Sequence, residues 1–207
     1  LTTKRVALGV AALLLAVFVF ELIVLFAAGV TVWQYVFLAT LEPTPGWVMA
    51  PFAHRTIAHL LSTLCVVVCY GALVEAWLSD SAVFAFYVAA GYVSTAGQLA
   101  AYLGGVSGLG TLGASGAALG LVALYVVCMT GRALWAPETV TTVDGVFTGL
   151  GLVIVAIVLA NDLLPGIVLT TGTATFGHVG GIVAGVGYGL VVVRAQQRST
   201  SPTMGRT

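Results

Sequence analysis

Ser115, His178 and His59 are the side chains best suited to chemistry, because each lies inside a long apolar run where a polar group is costly and is often functional. A serine hydroxyl is a weak nucleophile until a base takes its proton, and histidine is the usual base. Ser115 sits in Gly113-Ala114-Ser115-Gly116, where the glycine-rich stretch Gly104-Gly105-Val106-Ser107-Gly108-Leu109-Gly110 turns into an apolar run. At a helix start the first backbone N–H groups lack intrahelical partners, so they can hold a developing oxyanion. His178 lies in Phe176-Gly177-His178-Val179-Gly180-Gly181 and would accept the Ser115 proton as general base. No acidic residue is close in sequence to orient it, and Asp162 is too far along the chain to assign, so a Ser115–His178 dyad is the economical reading. Taken singly, these residues have plainer explanations: a serine at a helix contact, or a histidine bonded to a backbone carbonyl.

The elements that must position these groups follow from hydropathy. A helix rises about 1.5 Å per residue and needs roughly 20 apolar residues to cross the hydrocarbon layer. Six runs qualify: Val6–Val30, Thr56–Leu78, Ala82–Leu103, Leu112–Gly131, Asp144–Leu163 and Thr175–Val193. The first follows Lys4-Arg5 but is too long for a signal-peptide core, so it is expected to be retained as a helix. The fold class is therefore all-α, a polytopic six-transmembrane-helix bundle. One membrane domain over residues 1–198 is expected, followed by a polar tail over 199–207.

Cytoplasmic loops retain Lys and Arg. With both termini inside, Lys4, Arg5, Arg132, Arg194, Arg198 and Arg206 fall on the cytoplasmic side and only Arg55 outside. In that orientation the second, fourth and sixth runs all pass from outside to inside. His59, Ser115 and His178 then each lie about one turn below the outer surface, at similar depth. Between the first two runs, Trp33, Tyr35, Phe37 and Trp47 are interleaved with Glu42, Pro43, Pro45 and Gly46, which predicts a segment seated in the outer interface. Glycines at 177, 181, 185 and 189 form a stripe on the last run, and Gly116 and Gly120 offer a matching one on the fourth. Such stripes permit very close helix contact.

Composition narrows the alternatives. The 207 residues are 60% hydrophobic and 7% charged, with mean hydropathy +1.12, too few polar groups to clothe a water-facing surface. Seven cationic and seven acidic residues leave no net charge and no basic footprint for a nucleic acid. Cys65, Cys69 and Cys128 lie inside apolar runs and read as packing residues, with no disulfide or zinc spacing.

Taken together, the motifs resemble those of the rhomboid intramembrane serine proteases over nearly the whole chain. Gly113-Ala114-Ser115-Gly116 with Ala117-Ala118-Leu119-Gly120 is similar to the family's nucleophile segment, and Gly177-His178-Val179-Gly180-Gly181 to its general-base segment. His54-Arg55-Thr56-Ile57-Ala58-His59-Leu60-Leu61 resembles its paired-histidine segment, and Glu75 matches a recurrent acid. The resemblance implies cleavage of a peptide bond in or near the transmembrane segment of a substrate protein in the lipid bilayer, without metal or cofactor. It implies Ser115 as nucleophile, His178 as base, His59 as an oxyanion donor and Gly113 beside the oxyanion pocket. It also implies that the fifth span and the 165–175 loop gate the substrate. Two positions depart from the pattern. Thr63 stands where the family commonly has Asn, keeping one donor with shorter reach, and Trp47-Val48 stands where Trp-Arg is frequent. Competing readings are a catalytically weak or inactive rhomboid-like protein that binds membrane clients, and a small transporter moving protons through intramembrane histidines. Glu21, in mid-span, fits none of them without a bonded partner or water.

Overall fold

The computed structural model describes residues 5–164 and 174–200. The chain forms α1 (Arg5–Phe37), α2 (Gly46–Met49), a 3-10 turn (Ala50–Phe52), α3 (Ile57–Val74), α4 (Asp80–Leu103), α5 (Ser115–Trp135), a second 3-10 turn (Pro137–Thr139), α6 (Thr142–Leu163) and α7 (Thr175–Thr200). α1 and α3 through α7 are each long and apolar enough to cross a membrane, giving the six expected spans. Helices are the solution because hydrocarbon offers no partner for backbone polar groups, so each segment must satisfy its own.

Polar residues set the helix ends. Thr56 caps α3 by accepting from the His59 N–H, and Ser79 caps α4 by accepting from Ala82. Thr141 and Asp144 form a reciprocal capping box that starts α6. Other boundaries differ from expectation. The first helix does not end at Val30: it breaks at Gly29, whose φ of 82° is left-handed, and resumes to Phe37. Phe37 is fully buried and meets Phe20 edge-on with ring centroids 5.4 Å apart, so packing holds this extra segment. The second span stops at Val74, where the Glu75 carboxylate accepts the backbone N–H of Ala7 and ties the two helices together. α7 runs past the expected end at Val193 to Thr200.

α5 is the central helix. Twelve of its residues are buried, and it packs against α3, α4, α6 and α7. Its closest neighbour is α7, and the expected glycine stripes do meet. A Cβ built at Gly181 would lie 1.9 Å from the Gly116 carbonyl oxygen, and one at Gly185 would lie 2.2 Å from that of Gly120. Gly177 instead faces Ser94 of α4. Only glycine allows backbones this near. Among the cysteines, Cys128 is buried in the core, whereas Cys65 and Cys69 are exposed on the outer face of α3 rather than packed.

Glu21 acquires a partner. Its carboxylate is buried inside α1 and Oε1 accepts the backbone N–H of His54 at 2.8 Å. This bond anchors the segment leading into α3.

Candidate active site

The loop before α5 is fixed by the segment between α1 and α3. Ala39 and Thr111 exchange two backbone hydrogen bonds of 2.9 and 2.8 Å, and the Gly113 N–H donates to the Ala50 carbonyl at 2.8 Å. The Tyr102 hydroxyl donates to the Gly110 carbonyl at 2.9 Å. Gly113 has φ of +135°, a conformation that L side chains rarely adopt, and this turn delivers Ser115 as the first residue of α5. As the first residue of α5, Ser115 belongs to the turn whose backbone N–H groups have no intrahelical partner.

Ser115 Oγ lies 2.9 Å from Nε2 of His178, a hydrogen bond between the start of α5 and the first turn of α7. The glycine contacts between α5 and α7 bring the two so near. On the other side, a Cβ at Gly113 would stand 3.2 Å from His59 Cε1 and 3.4 Å from Ser115 Oγ, so the missing side chain leaves a small space bordered by both. His59 is half-buried and meets the His54 ring edge-on with centroids 5.2 Å apart. Burial pushes the His54 imidazole down from 6.5 to about 3, with His59 adding to the effect, so the ring behind His59 is neutral. Thr63 is buried one turn further along α3, on the same face as His59. Its hydroxyl has no hydrogen-bond partner among the described residues.

The sequence reading left one neighbour unassigned. Asp162, in the last turn of α6, places Oδ2 2.6 Å from Nδ1 of His178, and its side chain is fully buried. Its other oxygen has a long contact of 3.5 Å from Asn161 Nδ2. His178 is thus bonded at both ring nitrogens, to a hydroxyl and to a carboxylate. The sixteen-residue separation hid this contact. The signal that could have found it was depth, since the end of α6 lies at the same end of the bundle as the starts of α3, α5 and α7. Around this cluster, Gln98 of α4 accepts the Gly177 N–H at 3.1 Å and steadies the first turn of α7. Residues 165–173 of the expected gate loop lie outside the described residues.

A serine hydroxyl bonded to an imidazole at the first turn of a helix is an arrangement suited to acyl transfer. Among known families, the Rhomboid domain model matches residues 44–195. No individual curated protein matches the chain.

Proposed function

Because the chain belongs to the rhomboid family and is an integral multi-pass membrane protein, we propose that it is an intramembrane serine endopeptidase acting on transmembrane segments of other proteins. The observation that carries this reading is the 2.9 Å hydrogen bond between Ser115 Oγ and His178 Nε2 at the start of α5. Ser115 attacks the scissile carbonyl while His178 Nε2 takes its proton. The oxyanion is met by the Ser115 backbone N–H and by His59, with Thr63 as a further donor, and Gly113 leaves room for it. The C–N bond then breaks as His178 returns the proton to the leaving amine. Water, activated by the same imidazole, hydrolyses the acyl-enzyme.

The substrate helix must unwind locally, because its peptide groups are otherwise bonded to one another. Substrates with helix-weakening residues near the cut, and a small residue before it, fit the family resemblance. The catalytic unit in this reading is residues 1–198, with both termini cytoplasmic and the site opening to the extracytoplasmic side. The six-to-one distribution of cations supports that orientation.

Cleavage of a single-spanning substrate by the purified chain in liposomes tests the proposal. Ser115→Ala and His178→Ala should each reduce cleavage to background, and a fluorophosphonate probe should label the parent but not Ser115→Ala. Cleavage that persists in either variant rejects the mechanism.

A further inference from the structure

The Asp162–His178 contact adds a member to the reaction machinery that neither the family match nor the motifs assign. We infer that Asp162 is a positioning residue of a Ser115–His178–Asp162 triad, its carboxylate holding the Nδ1 proton of His178 so that Nε2 is free to accept from Ser115. The inference rests on the protease reading above and extends it.

The tautomer follows from donor and acceptor counting. An ionised carboxylate only accepts, and a neutral imidazole carries one N–H. With Oδ2 2.6 Å from Nδ1, the proton resides on Nδ1. Nε2, 2.9 Å from Ser115 Oγ, is then the acceptor that general-base catalysis needs. When the Ser115 proton moves to Nε2 and the Oγ–C bond forms, the imidazole becomes a cation. The Asp162 charge stabilises that cation while keeping its own proton count unchanged. In a water-poor site such a paired charge matters more than at a surface.

Burial argues in the same direction. A carboxylate whose side chain is fully buried is costly unless paired, and His178 is the close partner it has. The competing explanation is a structural clasp joining α6 to α7, so the test must separate orientation of His178 from simple docking. Among the described residues, the titratable groups facing His178 are His59 from α3 and Asp162 from α6. α5 contributes Ser115 and α4 contributes Gln98, neither of which titrates in this range.

Asp162→Asn, Asp162→Glu, Ser115→Ala and the parent are to be compared in liposomes for kcat, KM and the pH profile of kcat/KM, with thermal unfolding alongside. In Asp162→Asn the amide can donate to Nδ1 and favours the wrong tautomer. The expected result is a fall in kcat of about 10²–10⁴-fold with little change in KM. The acid limb of the profile should move, because the imidazolium loses its counter-charge. Asp162→Glu should recover part of kcat. The second readout needs no turnover: histidine ¹⁵N labelling should show a strongly downfield Nδ1 proton on His178 in the parent and in Ser115→Ala, absent in Asp162→Asn. An unchanged kcat and acid limb in folded Asp162→Asn overturns the triad and leaves the dyad standing. So does equal loss of kcat in both Asp162 variants with a lowered unfolding temperature and an unmoved acid limb, and so does absence of the Nδ1 proton in the parent. Cleavage by Ser115→Ala instead overturns the protease reading itself.

Discussion

Thr63 carries a buried hydroxyl with no partner among the described residues, directly beneath His59 on α3. Leaving such a group unsatisfied costs about 1–3 kcal/mol, a cost more easily understood if the donor is reserved for an oxyanion that exists only during reaction. Thr63→Val removes the hydroxyl and keeps the shape. The unfolding temperature should stay the same or rise, while kcat falls by roughly 10² and KM changes little. Unchanged turnover in that variant would leave His59 and the Ser115 N–H as the whole oxyanion pocket. At this scale Ser115, His178 and His59 were legible in the sequence because each is a polar group within an apolar run, whereas Gly113 was implied by the family resemblance; the four do lie together. Asp162 was not legible by the same route, since it sits at the C-terminal end of its helix, sixteen residues before His178, with no motif around it. Glu21 was equally opaque, because its partner is the backbone of His54, thirty-three residues on. A backbone partner leaves no residue-type signature.

The α5–α7 contact decides whether the Ser115–His178 bond can exist, and its glycines make a sharp prediction. Gly181→Ala would put a methyl group 1.9 Å from the Gly116 carbonyl oxygen, a distance that only movement of backbone can relieve. Overpacking of this kind costs about 1–3 kcal/mol, and because Gly116 directly follows Ser115 the displacement falls on the nucleophile. Thermal unfolding in detergent should drop, and fluorophosphonate labelling should slow sharply. Gly187→Ala on the same helix is the control, since nothing lies within 4 Å of its added carbon. There, better helix propensity should leave stability unchanged or raise it by up to about 1 kcal/mol. If both variants behave alike, the glycine stripe is not what sets the helix spacing. Element number and order were readable from hydropathy because twenty-residue apolar runs have few alternatives in a chain this poor in charge. The ends were less readable. Hydropathy sees no reason for α1 to resume beyond Gly29, whereas burial of Phe37 against Phe20 supplies one.

The six spans are unequally held, and this bears on how a substrate reaches a site enclosed by helices. In α5, 61% of the apolar window is buried inside the bundle, against 6% in α6, whose buried residues are Gly151 and Asp162 alone. Displacing α6 therefore sacrifices the least packing, and lateral access between helices is expected on its side. Yet α6 also carries the carboxylate that meets His178, so an α6 moved outward is an α6 that has withdrawn Asp162. On the proposed mechanism, access and catalytic readiness would then oppose each other, and turnover would require α6 to return after the substrate has docked. Gly151→Leu probes this coupling. A Cβ there would stand 2.8 Å from Val126 Cγ2, 3.0 Å from Val122 Cγ1 and 3.2 Å from the Tyr70 hydroxyl, so a larger side chain must push α6 away from α5. If α6 served only as a gate, the variant would cleave a transmembrane substrate faster and a short soluble peptide at the parent rate. With Asp162 on the moving helix, kcat should fall for both substrates by a similar factor while KM for the transmembrane substrate falls or stays constant. Combining Gly151→Leu with Asp162→Asn should add little further loss, because both act by removing the same carboxylate from the same imidazole, and non-additivity is the mark of a shared contact.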